Sequence, residues 1–179
     1  MRKLTRAAST ALIATAVAAT SLATAAPASA AGYRCTTSHK SIDDAAYNGP
    51  WPDNWNVTTT ICAKRSGSYV YTYAKLSWDG PVYARADDSG LFDGAYFRLQ
   101  IKRSQSGTDP VLTSRAHHGI EARLEDSTSG ANYNNSYTTG TLAYRIGSAR
   151  GLGDGELRLD WNNDGDGYRT HRFSASPAV

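Results

Sequence analysis

The sharpest chemical pattern in the chain is the segment Asp160-Trp161-Asn162-Asn163-Asp164-Gly165-Asp166. Oxygen-bearing side chains at alternate positions, then a glycine, resemble the first half of a calcium loop. There, hard oxygen donors surround a hard cation and the glycine permits the bend. On that reading Asp160, Asn162, Asp164 and Asp166 are the ligands, and calcium is the one cofactor the residues suggest. The pattern then breaks, because the twelfth position counted from Asp160 is His171, where a bidentate Glu is needed. Asn163-Asp164-Gly165 is at the same time a good hairpin turn, since all three residue types tolerate positive φ.

Other reactive side chains form no catalytic pattern. There is no Gly-x-Ser-x-Gly elbow and no His-Glu-x-x-His helix. The histidines are His39, His117, His118 and His171, and the His117-His118 pair reads as solvent-exposed. Asp109 and Glu121 lie near that pair in sequence, but spacing supplies neither nucleophile nor oxyanion hole. Asp87-Asp88, Asp93, Glu121 and Glu125 could furnish a glycosidase pair, yet nothing fixes their separation. The expectation is a protein without catalytic residues.

The two cysteines, Cys35 and Cys62, are most simply one disulfide in an oxidising compartment. Closing a loop of that size contributes about 3–4 kcal/mol on the chain-entropy account. Metal or redox chemistry has no support, since there is no Cys-x-x-Cys and no paired His ligand set. Binding has more. Eleven Tyr and four Trp stand against three Phe, and Tyr and Trp tolerate half-wet positions and are enriched where proteins meet partners. Tyr33, Tyr47, Trp51 and Trp55 lie among the turn formers Asn48-Gly49-Pro50 and Pro52-Asp53-Asn54. They are the expected partner-contact residues, against the alternative that the Trp rings cap the core. The stretch carrying them could also add a strand to a neighbour's open sheet edge.

The elements that must position these residues are strands. Val57 to Ala63 is β-branched and Thr-rich, and Tyr69 to Trp78 alternates, with Val70, Thr72, Ala74, Leu76 and Trp78 on one face. Lys64-Arg65-Ser66-Gly67-Ser68 joins the two as a hairpin turn. Phe97, Leu99 and Ile101 oppose Tyr96, Arg98, Gln100 and Lys102, the pattern of a half-buried antiparallel strand. Further strands are predicted at 82–85, 137–146, 155–161 and 168–174, and one short helix at 119–126. The fold class is all-β: a single antiparallel sandwich or small barrel of six to seven short strands, at most one short helix and one N-terminal disulfide.

The N-terminus reads as an address label. Arg2, Lys3 and Arg6 precede an uncharged Ala-rich run from Ala7 to Ala26, and Ala28-Ser29-Ala30 fits a signal peptidase site, so cleavage is expected after Ala30. The run is interrupted by Ser and Thr, which makes a poor permanent anchor. The expected organisation is a signal peptide at 1–30, an irregular aromatic-rich segment at 31–56 and a β-sandwich domain at 57–179. Of 19 Lys+Arg, three lie in the leader, leaving 16 against 16 Asp+Glu. A neutral exported domain has no global electrostatic reason to hold nucleic acid or an anionic membrane.

The blocks Ser77-Trp78-Asp79-Gly80-Pro81, Leu91-Phe92-Asp93-Gly94-Ala95-Tyr96-Phe97-Arg98-Leu99-Gln100 and Leu159-Asp160-Trp161-Asn162-Asn163-Asp164-Gly165 are similar to those of small secreted actinobacterial proteins of the streptomycete type. Within that group the chain resembles the adaptor subunit of the umbrella toxin particles, in which a small β protein joins a lectin-like subunit to a large toxin-bearing one. The resemblance spans most of residues 57–174 and carries no functional residue over. It implies a secreted, non-catalytic subunit of an extracellular complex used against competing bacteria, whose partners are other secreted proteins. The alternatives are a carbohydrate-binding module, lectin-like and calcium-assisted, and an inhibitor of a secreted hydrolase.

Overall fold

Alternation of apolar and polar side chains builds two antiparallel sheets that face each other across one core. The structure, a computed structural model, describes residues 32–43, 54–80, 90–127, 134–162 and 164–179. The first sheet holds β1 (Arg34–Ile42), β2 (Trp55–Ser66) and β3 (Tyr69–Asp79) in that order. Two short strands share the far side of β3: β6 (Asn134–Thr138) against its second half and β7 (Leu142–Arg145) against its first. The second sheet runs β5-β4-β8-β9, with β4 at Phe92–Arg103, β5 at Val111–His117, β8 at Gly151–Trp161 and β9 at Arg169–Arg172. The sheets do not close into a barrel.

The core is the inner parity of the long strands. Val57, Ile61, Val70, Ala74, Leu76 and Trp78 from the first sheet meet Ala95, Phe97, Leu99, Ile101, Leu157, Leu159 and Trp161 from the second. Trp78 keeps its indole N–H satisfied by donating to Ser127 Oγ at 2.9 Å. The inner face of β8 begins Gly151, Gly153, Gly155, and the missing side chains let the sheets approach closely. A Cβ at Gly155 would overlap the Phe97 ring, and one at Gly153 would overlap the Thr72 hydroxyl.

Nine strands occur among the described residues, more than the six or seven expected. The expected strand at 137–146 is broken in two; at the break the Thr139 N–H donates to the Ala74 carbonyl and the Ala74 N–H to Thr139 Oγ1. The strands that sequence alone did not mark, β1 and β5, each form one edge of a sheet. β1 lies inside the segment expected to be irregular, but of its nine residues only Ile42 is buried. None of β5 is buried. An edge strand over the rim of a core has no reason to alternate, so periodicity misses it. The short strand expected at 82–85 lies outside the described residues.

The expected helix is present as a 3-10 turn (His118–Ile120) running into α1 (Glu121–Glu125), which plugs one end of the sandwich with Ile120 and Leu124. A bulge at Phe92/Gly94 breaks the β4–β8 ladder beside it. Glu121 Oε2 accepts the N–H of Ala95 at 2.8 Å, and Glu125 Oε1 receives that of Phe92 at 3.4 Å. Two carboxylates that sequence could have assigned to glycosidase chemistry thus accept from backbone N–H groups of β4, outside its pairing with β5.

Along the opposite side the C-terminal residues finish the second sheet. Phe173, Ser176 and Val179 donate backbone hydrogen bonds to Gly155, Gly153 and Gly151 in turn. No helix among the described residues is long and apolar enough to cross a membrane.

Candidate functional site

The outward parity of the first sheet carries a cluster of tyrosines. Tyr69, Tyr71 and Tyr73 alternate with buried Val70, Thr72 and Ala74, so all three point away from the core. Tyr33 lies just before β1 on the same side. Its ring meets Tyr73 edge to face, with centroids 4.9 Å apart. The Lys64 ammonium sits 4.7 Å from the Tyr33 ring centre and 5.8 Å from that of Tyr71. A cation shared by two ring faces is attracted to both quadrupoles and fixes their spacing. Tyr33 and Tyr69 remain 37% and 43% exposed, which leaves ring surface for a partner.

The disulfide holds this patch in place. Cys35 and Cys62 are bonded, as the cysteine count implied, and they face each other directly across β1 and β2 with Cα atoms 4.0 Å apart. Cys62 in turn pairs with Tyr73 on β3, so bond and ring form one row across the sheet. Arg65 secures the adjoining hairpin. It donates to the carbonyls of Gly67 (3.1 Å), Ala149 (2.7 Å) and Gly147.

Further along the same face the chemistry turns to hydroxyls and amides. Thr37 and Thr60 share a hydrogen bond of 2.8 Å, as do His39 Nδ1 and Thr58 Oγ1. Two shallow depressions meet at Asn56 and Thr58. One is bordered by His39, Lys40 and Ser41, the other by Ser77, Asp79, Asn134 and Asn135.

Of the two described residues among those expected to contact a partner, Tyr33 joins this surface. Trp55 does not: it is 2% exposed and packs against Phe92, with ring centres 6.4 Å apart. Its indole is worth more inside, because Trp55 shares the inner parity of β2 with Val57, while Asn56 between them faces out. Tyr47 and Trp51 lie outside the described residues. The outward tyrosines of β3 were legible as one face of an alternating strand, while Lys64, expected in the hairpin turn, lies within β2; neither was legible as a contact surface.

The Asp160–Asp166 loop is arranged around a guanidinium. Asp164 and Asp166 both reach Arg169, Asp164 at 3.8 Å. Asp164 Oδ1 also accepts the Asp166 N–H at 2.8 Å, and Gly165 and Gly167 take φ of 70° and 67°. Asn162 spends its amide on the Gly90 carbonyl at 2.5 Å. Asp160 projects from the outer face of β8. There burial, and then the charges of Asp93 and Asp164, raise its carboxyl above the usual range. Among the described residues no three His, Cys, Asp or Glu side chains come together to hold a metal.

The histidines are equally dispersed. His39 is on the tyrosine side, while His117 and His171 lie under opposite rims of the sandwich. Burial, helped by Arg115, lowers the pKa of His117. Burial, helped by Lys40 and Arg169, lowers that of His171. His118 lies against Tyr96 with ring centroids 5.1 Å apart and planes tilted by 40°.

Comparison with protein-family models, with curated proteins and with solved structures gives no match for this chain.

Proposed function

We propose that the chain is a secreted, non-catalytic binding protein that joins other exported proteins in an extracellular complex. The carrying observation is the patch of Tyr33, Tyr69, Tyr71 and Tyr73 around Lys64, braced by the Cys35–Cys62 bond. Rigid rings with a polar tip offer large contact area at low entropic cost, which is the composition of interface centres. The resemblance to the umbrella-particle adaptor extends the reading to a toxin complex active between bacteria.

The test is recovery of the tagged protein from culture supernatant. Stoichiometric larger proteins should accompany the wild-type chain and be lost from a Tyr33→Ala/Tyr71→Ala variant of unchanged melting temperature. Recovery of the chain alone, or substrate turnover abolished by one side-chain replacement, would overturn the reading.

A second reading, neutral carbohydrate binding, draws on the hydroxyl- and amide-lined depressions around Asn56 and Thr58. Glycan-array binding lost in Thr58→Val with partners still recovered would favour it over the first.

A further inference from the structure

The outer face of the second sheet places three guanidiniums on one buried carboxylate. Arg98, Glu156 and Arg172 stand side by side on β4, β8 and β9 in a single register row. Arg158 follows two residues along β8 on the same face. Glu156 is 5% exposed. Its Oε1 takes Arg98 Nη2 and, at 2.9 Å, Arg158 Nε; Arg172 Nε lies 3.7 Å from Oε2.

One of these arginines neutralises Glu156 and the other two leave +2 within the row, which Asp160, two residues beyond Arg158 on the same face of β8, lowers toward +1. The neighbouring Lys102–Asp154 pair is itself neutral and cancels none of it. Each guanidinium carries five N–H donors, more than one carboxylate can satisfy. Nε of Arg98 is buried with no hydrogen-bond acceptor, while 83% of the Arg172 side chain is exposed. Like charges held together on a sheet repel, and burying a carboxylate to hold them costs desolvation that extra arginines do not recover. The arrangement gains when an external anion occupies the donors that face solvent, chiefly those of Arg172.

We infer that this row is a docking surface for a carboxylate-rich segment of a protein partner. The inference deepens the binding-protein reading and rests on it for the class of partner. The backbones of Arg98 and Arg172 stand two strand spacings apart, roughly 10 Å, which a chain bearing successive carboxylates matches better than one small ion. Beside the row, Tyr96 meets Tyr168 edge to face at 5.2 Å, offering ring surface to the apolar part of such a segment.

Fluorescence anisotropy of a labelled octaglutamate peptide with the full chain tests this at low and raised ionic strength. Binding should be present and salt-sensitive, fall about tenfold in Arg172→Ala, and vanish in Arg172→Glu. An Arg123→Ala control, which removes the same charge from the exposed side of α1, should bind like wild type. Arg172 is on the surface, so its variants should melt with the wild-type protein. No peptide binding, equal binding by Arg172→Glu, or preference for inorganic phosphate or a sulfated polysaccharide over the peptide would overturn the inference. Loss of the peptide result with supernatant partners still recovered through the tyrosine face refutes this surface alone.

Discussion

The two outward faces of the sandwich share one construction rule and differ in chemistry. On the first sheet the outward parity carries rings and hydroxyls, pinned by a disulfide and by a lysine lodged between two tyrosines. On the second it carries charges, pinned by a buried glutamate. Packing dictates the inner parity of both sheets, so Gly, Ala and aliphatic residues are interchangeable there only within tight volume limits. The outer parity is free of that constraint, and both proposed contact surfaces lie on it. Two chemically distinct faces back to back suit a protein that meets two partners at once.

The largest expected effect comes from unpinning the tyrosine face. Cys35→Ser/Cys62→Ser removes the covalent bond between edge strand β1 and β2 and leaves the start of β1, beside which Tyr33 is placed, held by the ladder alone. Destabilisation of about 2–5 kcal/mol is expected by chemical denaturation. The arginine face, on the other sheet, should keep its acidic-peptide affinity in whatever fraction remains folded. Equal loss at both surfaces would mean that the two are not separately held.

The next effect acts on the spacing between the faces. Gly155→Ala inserts a Cβ into the Phe97 ring and against Ile61. Overpacking there should cost about 1–3 kcal/mol, seen as a lower unfolding midpoint with unchanged slope. A neutral or stabilising result would show that the sheets have slack, and the close-approach role of the β8 glycines would be lost.

Much of this fold was legible in the sequence because the central strands carry strong alternation. Val70 to Trp78 and Phe97 to Ile101 announced both their faces and their burial. β1 and β5 did not, because Thr36, Ser38, Lys40, Thr113 and Arg115 lie over the rim, where nothing selects for apolar side chains. The disulfide followed from counting two cysteines. The aromatic residues were harder, since composition could not say which rings were core. Among the described residues Trp55, Trp78 and Trp161 are inside, Tyr137 packs against the core, and Tyr33 and Tyr69 are out. The phenol keeps a hydrogen-bonding group in water that burial would have to satisfy. The arginine row was present as charge alternation on strand faces, but convergence on Glu156 depends on strand order, which no local pattern encodes.

A smaller effect sharpens the contrast by separating binding from stability. Tyr71→Ala removes one wall of the Lys64 site and about 0.5–1 kcal/mol of cation–π attraction. Its stability should change little, yet partner recovery from supernatant should drop severalfold if this face is the contact. A loss of stability well beyond that range, with recovery intact, would make Tyr71 a structural residue and shift the contact surface elsewhere.

The smallest effect concerns the seams where the two sheets meet. His117 lies under one rim, with the Tyr137 ring 6.5 Å away and Arg115 nearby. His171 lies under the other, facing Lys40 and Arg169. Both have folded-state pKa values below the ordinary 6.5, chiefly through burial. In the window between those lowered values and 6.5 the unfolded chain binds more protons than the folded one. Stability is therefore complete above the unfolded value and is lost as pH falls through the folded ones. Melting temperature should decline on acidification from about pH 7 to about pH 5, and a His117→Gln/His171→Gln variant should flatten that decline. Because the cations lie at the seams and not on the outward faces, partner affinity per folded molecule should change less than stability across the same window. A decline that persists unaltered in the double variant would place its origin in other groups and remove the seams from the account.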